Sequence, residues 1–583
     1  DHNLFGLGTR VEIRLGEQLQ LAENQPSRGF QSASEPLIHF GLGEHERIDE
    51  LKVIWPDGHM QILTQLSINQ VLHLKYDDAA ADTTKEALAS SVFQPVLPTS
   101  LFSHQENKHD DFATERLLPH ATSQFGPGLA TGDVNKDGLN DFYVGGAKGQ
   151  AGVLFLQQID GQFIKSDLPV WETDKAYEDL DALFFDANGD GWDDLYIVSG
   201  GSEAAPYSSF YQDRFYWNQQ GHFVKAEQVL PTITHSGSKV KACDIDADGD
   251  LDVLIGGRLV PQNYGQPATS VLLLNEKRNG QTVFTDVTAT HAPDLQELGM
   301  VTDFVWTDFD QNGTPDLVMV GEWMPVSFFK NEAGHLYDVT PSMESTDTRA
   351  WWFSIAAEDL NEDGRDDLVL GNLGQNYKYQ AADEASFDLY VNDFDANEQN
   401  DIVLSYHYEG EQFPLRGRQC SSEQMPGIKE KFKSYNEFAA ANLTAVYSEN
   451  ALEEAEIHFS VSSFASQIWW SNEDGNYNRE ILPPYCQLSA INAIIIEDVN
   501  QDGRQDLILG GNLFASEVET KRNDASIGVY LQATGSEQFE VVPYAQSGLL
   551  LSGDVKDMAI LPATESRLLI VANNDDDLQI LKF

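Results

Sequence analysis

The sequence predicts an all-β protein: a β-propeller of seven blades, or of eight, preceded by a small N-terminal β domain. Three observations predict it. A nine-residue acidic loop recurs seven times between residues 133 and 506. A short apolar strand follows every copy. The intervals hold Gly-centred turns with aromatic or apolar tags, as β-hairpins do.

The copies share the pattern D-x-[DN]-x-[DN]-(G)-x-x-D. They read DVNKDGLND from Asp133, DANGDGWDD from Asp186, DIDADGDLD from Asp244, DFDQNGTPD from Asp308, DLNEDGRDD from Asp359, DFDANEQND from Asp393 and DVNQDGRQD from Asp498. The strands after them are FYVGG, LYIVSG, VLIGG, LVMVGE, LVLGN, IVLSY and LILGG. The first five starts are 53, 58, 64 and 51 residues apart, an interval that suits a four-stranded blade. SVLLLNE from Ser270 and VSFFKNE from Val326 read as further blade strands. DGQFIK at Asp160, QGHFVK at Gln220, NGQTVFTDVT at Asn279 and AGHLYDVT at Ala333 read as outer hairpins.

The spacing implies a metal. Side chains at positions 1, 3 and 5 of a tight loop converge on one point, position 7 offers a backbone carbonyl, and position 9 adds a carboxylate as the chain enters its strand. Hard oxygens in that number suit calcium better than magnesium, which prefers an octahedral shell with retained water. Position 1 is Asp133, Asp186, Asp244, Asp308, Asp359, Asp393 and Asp498; position 3 is Asn135, Asn188, Asp246, Asp310, Asn361, Asp395 and Asn500. Position 5 is Asp137, Asp190, Asp248, Asn312, Asp363, Asn397 and Asp502, and the position 7 carbonyls belong to Leu139, Trp192, Asp250, Thr314, Arg365, Gln399 and Arg504. Position 9 is Asp141, Asp194, Asp252, Asp316, Asp367, Asp401 and Asp506. Glycine at position 6 permits the sharp turn; Glu398 replaces it in one copy, the weakest of about seven expected Ca2+ sites. The pattern is not an EF-hand, which needs a twelve-residue loop, a final Glu and flanking helices. Asp/Asn/Gly turns also occur between strands without metal, but seven copies of one carboxylate spacing favour the ion.

The end of the chain is less regular. Asp359 and Asp393 lie 34 residues apart, Asp393 and Asp498 105 apart. The long gap holds a basic stretch, with Arg416, Arg418, Lys429, Lys431 and Lys433, and reads as one or two short helices over 428–456. It is expected to be an insertion, at about 410–458, in the blade that opens near Asp393. SQIWWSNEDGNYNREILP then resumes the blade. LSGDVKDMAIL near Asp554 is a candidate eighth position that lacks the acidic pattern. RLLIVANNDDDLQILKF is expected to close the ring beside FQPVLPTSLF near residue 93, which hides two free sheet edges.

Residues 1–76 alternate apolar and polar residues in short runs (TRVEIRL, LIHFGLG, ELKVIWPDGHMQIL, QVLHLKY), with WPDG at Trp55 as a hairpin turn. Residues 77–90 are small and polar, a linker to the propeller at 91–583. In SHQENKHDDFATERLLPH, the residues His104, Glu106, Asp110, Asp111 and Glu115 are either a solvated loop or a further metal site.

Net charge is −57, from 93 acidic and 36 basic residues. Such a surface repels phosphate backbones and anionic membranes, which argues against nucleic acid as a partner. Three cysteines (Cys243, Cys420, Cys486) make no disulfide framework. Cys243 reads as a buried small side chain, and a Cys420–Cys486 pair stays open. No transmembrane run is visible. The text begins at Asp1 inside a β-like pattern, which reads as a mature piece or a fragment.

The acidic loops resemble the FG-GAP or VCBS repeats of integrin α-chain propellers and bacterial surface proteins; FGPGLATGDVNKDGLNDFYVGG from Phe125 carries the likeness. GLGTRVEIRLG, SRGFQSASEPLIHFGLG, IDELKVIWPDGHMQ and NQVLHL resemble the ASPIC/UnbV module. The combination is similar to the extracellular cartilage acidic protein group and to long surface proteins of Bacteroidetes. The resemblance implies calcium ligation by positions 1, 3, 5, 7 and 9, secretion, display at the bacterial outer membrane, and a role beside nutrient uptake systems. It implies no chemical activity. The expected function is therefore a non-catalytic, calcium-stabilised binding or scaffold protein, its expected partner a glycan or a protein of an outer-membrane transporter complex. A polysaccharide hydrolase or lyase using the basic insertion with His407, Tyr435 or Glu423 is the alternative, and a structural adhesin another. No G-x-S-x-G or H-E-x-x-H motif favours the enzyme. Trp351, Trp352, Trp469 and Trp470 are either sugar-stacking or core residues.

Overall fold

The computed structural model describes residues 3–16, 18–29, 31–80, 91–96, 101–343, 347–563 and 566–583. The chain forms two compact units, residues 1–90 and 91–583. Most of the predicted linker, residues 81–90, lies outside the described residues.

The first unit has a four-stranded antiparallel sheet in which Arg10–Leu15 pairs with Gln18–Glu23 and Arg47–Ile54, and the latter with Met60–Ser67, beside a two-stranded one of Ser27–Gly29 and Ser32–Ala33. Alternation sets its buried face: Val11, Ile13 and Leu15 pack with Ile48, Leu51 and Val53. The WPDG turn closes as expected. Gly58 N–H donates to Trp55 O at 2.8 Å and Trp55 N–H to His59 O at 2.9 Å, with Gly58 at φ +86°.

The second unit is predominantly β. Seven four-stranded antiparallel units, called sheets one to seven, begin with Leu129–Gly132, Asp179–Phe185, Ser236–Cys243, Met300–Thr307, Ala350–Glu358, Ile491–Glu497 and Val555–Ala563; the fourth and fifth are joined into one eight-stranded sheet where Glu322 pairs with Trp351 and Met324 with Ala350. These first strands pack against one another in chain order, and the seventh packs against the first, so they form a closed ring. The seventh sheet takes its last strand from the start of the unit: Leu581 pairs with Pro95 and Lys582 with Gln94. This is the closure the sequence predicts, and it hides a free edge.

Seven loops do not map one-to-one onto these sheets. Six follow the first strands of sheets one to six. The seventh sheet has none; its first strand is the segment proposed as an eighth position. The loop at Asp393 sits in an eighth four-stranded sheet, ordered Glu411–Pro414, Asp401–Tyr408, Phe387–Asn392, Ile457–Val461. That sheet is part of an insertion between the second and third strands of sheet five, Asp367–Asn372 and Gln467–Ser471. The insertion thus runs from 373 to 466 and includes the acidic loop, whereas the sequence places it at about 410–458 inside a blade opened by that loop. The cause is pairing: Leu368–Leu370 bonds to Gln467–Trp469, beyond the insertion.

One face of the inserted sheet buries Phe387, Leu389 and Val391 with Trp323, Trp351 and Tyr379. The other buries Tyr390 and Val403 under Leu443, Val446 and Leu452. Five short helices, not one or two, build this cover: Arg418–Gln424, Gly427–Lys431, Tyr435–Ala439, Leu443–Tyr447 and Glu449–Glu453. Ser434 and Glu437 form a capping box at the third. Trp351, Trp352, Trp469 and Trp470 are all buried, so they are core residues. The three cysteines are free, and Cys243 is only partly buried.

Candidate metal centres and the opposite face

The acidic loops share one hydrogen-bond plan. The position 1 carboxylate accepts the amides of positions 5 and 6, as Asp244 does from Asp248 at 3.1 Å and Gly249 at 3.1 Å. The same pair of bonds recurs at Asp133, Asp186, Asp308, Asp359, Asp393 and Asp498. The position 5 side chain accepts the amide of position 7 in every copy. Position 6 has left-handed backbone throughout, from φ +83° to +94° at the glycines and +66° at Glu398. Position 4 is left-handed too, at Lys136, Gly189, Ala247, Gln311, Glu362, Ala396 and Gln501, a feature the sequence reading missed.

Position 9 is the buried pivot. All seven aspartates are buried. In six copies Oδ1 accepts an amide from the third strand at 2.8 Å: Gln157 on Asp141, Asn218 on Asp194, Asn275 on Asp252, Asn331 on Asp316, Ser471 on Asp367 and Ala533 on Asp506. Asp401, in the insertion, instead accepts the amide of Phe394. Burial, with acidic neighbours adding to it, pushes these carboxyls up, to about 7 for Asp141, Asp194, Asp252 and Asp401, and to about 6 for Asp316 and Asp367.

The residues fit a hard divalent cation. Carboxylate oxygens of Asp244, Asp246 and Asp248 lie within 4.8 Å of one another, as do those of Asp308, Asp310 and Asp316 and those of Asp393, Asp395 and Asp401. In the other four loops position 3 is asparagine, whose carbonyl oxygen serves equally. Asp141 Oδ2 and Asp316 Oδ2 are buried with no hydrogen-bond partner. An all-oxygen donor set with orphaned carboxylate oxygens suits calcium.

The loops after the second strands emerge at the other end of the sheets. Residues 103–125 run across that end as a strap. His104 N–H donates to Asp576 O at 2.9 Å, Gln105 N–H donates to Gln150 Oε1 at 2.9 Å, and Ser202 Oγ donates to Asp111 at 2.6 Å. Tyr264 N–H donates to Glu115 at 2.8 Å, His120 Nε2 meets Glu322 at 2.8 Å, and Ala121 N–H donates to Ala515 O at 2.8 Å. The insertion joins the same face: Arg416 pairs with Glu517 and donates to Leu118 O.

The polar residues of the strap therefore separate. His104 and Glu106 meet Glu178, with one ligand atom of each within 4.8 Å of the others. Asp111 instead accepts from Thr122, Ser123 and Ser202, and Asp110 sits at the start of a helical turn. Burial pushes Glu106 and Glu115 up to about 7 and His104 down to about 3. The Asp575 amide donates to His104 Nδ1 at 3.1 Å, which leaves the neutral ring's proton on Nε2. The ring then has no free lone pair for a metal.

The basic residues of the insertion do not converge on one point. Arg418 donates to Phe432 O and stacks on Tyr435, and Lys431 donates to Val446 O. Glu423 accepts from Gln419, and His407 Nε2 lies 3.7 Å from Asp388 on the sheet.

Residues 1–81 match the family model described as ASPIC and UnbV, and residues 186–255 and 308–370 match that of the FG-GAP-like repeat. The chain carries an ASPIC/UnbV domain and FG-GAP repeats. No curated protein matches it. Among solved structures, Saccharomyces cerevisiae Sqt1 is 11% identical and covers 83% of this chain and 100% of its own, with a TM-score of 0.38. The Dos1 propeller is 8% identical, covering 81% of this chain and 97% of its own, with a TM-score of 0.35. The Vibrio cholerae biofilm matrix protein Bap1 is 9% identical, covering 83% and 91%, with a TM-score of 0.31. Among the described residues, no helix is long and apolar enough to cross a membrane.

Proposed function

We propose that residues 91–583 are a seven-bladed propeller whose acidic loops bind calcium, and that the protein is a non-catalytic binding or scaffold protein displayed outside the cell. The observation that carries this reading is the separation of the two ends of the sheets. The six acidic loops of the ring sheets lie at one end, and the seventh, at Asp393, belongs to the insertion. The strap and the insertion, built from long and individual segments, lie at the other. Calcium at one end stiffens the ring, and the other end presents surface to a partner. In this reading the partner is a glycan or an outer-membrane protein of a nutrient-uptake assembly, with an adhesive role as the competing outcome.

Tyr408 and Tyr435, both 61% exposed, mark the insertion's free surface. Deleting residues from Arg416 onward would cut its ties to Glu517 and Leu118, so point substitutions are the cleaner probe. The full chain is screened on a glycan array in calcium and in chelator, beside Tyr408→Ser and Tyr435→Ser. Binding that needs calcium and falls in these variants supports the reading. Turnover of a bound glycan would overturn the non-catalytic assignment. Binding that ignores both calcium and the insertion would overturn the division of labour between the ends.

A further inference from the structure

Beneath the strap, the starts of the first strands enclose a cavity of about 70 Å³. A single buried water needs only about 10–15 Å³, so this space takes several waters or one tetrahedral oxyanion. Its charged lining residues are Arg258, Lys239 and Lys556, with no carboxylate among them. In a chain of net charge −57 that lining is unusual.

Each cation is balanced by a carboxylate that does not line the cavity. Arg258 Nη2 donates to Glu322 at 2.7 Å. Lys239 Nζ lies 2.9 Å from Asp557 and 3.3 Å from Asp181, and Lys556 Nζ lies 3.0 Å from Asp554. Arg258 Nη1, however, is buried and has no partner. The residue is 3% exposed, and its guanidinium lies over the Phe125 ring at 4.1 Å. Phe125 lines the same cavity and fixes the plane of the group. A buried guanidinium N–H without an acceptor is costly, and arginine cannot shed its charge to avoid that cost. With the three cations already paired, what calls for a ligand is the orphaned Nη1 donor, and a small anion with several acceptor oxygens suits it.

We propose that this cavity is a binding site for a small oxyanion, held by Arg258 Nη1 and flanked by Lys239 and Lys556. Lys239 marks the way in, because its side chain is 19% exposed while those of Arg258 and Lys556 are 4% and 7% exposed. The bound anion ties sheet three, which supplies Lys239 and Arg258, to sheet seven, which supplies Lys556, and both to the strap through Phe125. It is independent of the acidic loops.

The test uses the full chain with calcium present. Crystals are soaked in sodium selenate and an anomalous map is computed. In parallel, Tm is followed against sulfate, inorganic phosphate and acetate at matched ionic strength. The expected result is an anomalous peak beside Arg258 Nη1 and a saturable rise in Tm. A rise with sulfate and phosphate but not acetate assigns a tetrahedral anion; a rise with acetate alone assigns a carboxylate. Arg258→Gln should weaken the apparent affinity about tenfold or more, the loss of one charge-assisted bond. Because Arg258 also neutralises Glu322, Leu513→Phe serves as a second variant: it fills the cavity, removes no cation and should abolish the saturable shift. No peak in the cavity overturns the proposal. A peak without a saturable shift is an adventitious ion only and overturns it equally.

Discussion

Asn275 donates from Nδ2 to Ala187 O at 2.8 Å, so the third strand of sheet three holds the acidic loop of sheet two. The same atom reaches Leu251 O of its own sheet's loop at 3.2 Å. Asn218 repeats the contact onto Val134 O and Asn331 onto Ile245 O. Neighbouring sheets are thus stapled at the loops, by a side chain buried between them. Replacing Asn275 with Ala should lower stability by about 1–3 kcal/mol, the cost of orphaning a buried carbonyl. Asn275→Asp should not rescue it, since the donor is what is used; Asn275 Oδ1 itself has no partner. Urea unfolding of the three proteins checks this, and wild-type stability in Asn275→Asp would refute it.

Calcium occupancy is expected to be reversible and countable. Chelation should lower Tm, and added calcium should restore it by mass action. Asp244→Ala removes the carboxylate that organises its loop and should reduce bound calcium by one equivalent, measured by native mass spectrometry. A Tm indifferent to chelator would dispose of the metal assignment at all loops together.

Glu398 marks a loop with a removable strain. It holds φ +66°, where the other six copies have glycine. A non-glycine residue in left-handed backbone costs roughly 1–2 kcal/mol. Glu398→Gly should therefore protect the insertion's amides against hydrogen exchange by about 1 kcal/mol. Gly249→Ala, which imposes a side chain at φ +94°, should do the reverse in its own loop. Equal protection in Glu398→Gly and wild type would show that the turn carries no strain.

The loops were legible because their geometry is written in spacing: a carboxylate at fixed offsets reads the same wherever it stands. The boundary of the insertion was not. DLYVND and IHFSV have the composition of blade strands, and the loop at Asp393 repeats the others, so only pairing between Leu368 and Trp469 separates that sheet from the ring. The asparagine staple leaves a weak trace, a lone Asn closing the third strand in RFYWN, VLLLN and FFKN. The strap was opaque for a different reason. Its polar residues read as a solvated loop or a metal site, yet His104, Asp111 and His120 are buried and Glu106 and Glu115 half-buried, because their partners come from distant sheets: Glu115 meets Tyr264, and His120 meets Glu322. No local pattern encodes such a contact.

The strap's attachment to sheet four should respond to acid. Glu322 is fully buried, which by itself raises a carboxyl, but the charges of His120 and Arg258 and the bonds from His120 and Tyr264 outweigh this and hold it at about 2. Its folded value is thus below the unfolded one, near 4.5. The stability it contributes is complete above about pH 4.5 and is lost as pH falls toward 2. The shift corresponds to something on the order of 3 kcal/mol. Glu322→Gln keeps the shape, removes the charge and strands Arg258 without a counter-ion, so it should destabilise by about 3–5 kcal/mol at neutral pH. The gap between the two proteins should then narrow steadily below pH 4.5, because the wild-type carboxyl becomes neutral as well. Urea unfolding from pH 2.5 to 7, at constant ionic strength and in chelator so that the acidic loops do not contribute calcium linkage, measures that gap. A difference that does not change with pH would mean that Glu322 carries no charge in the folded protein.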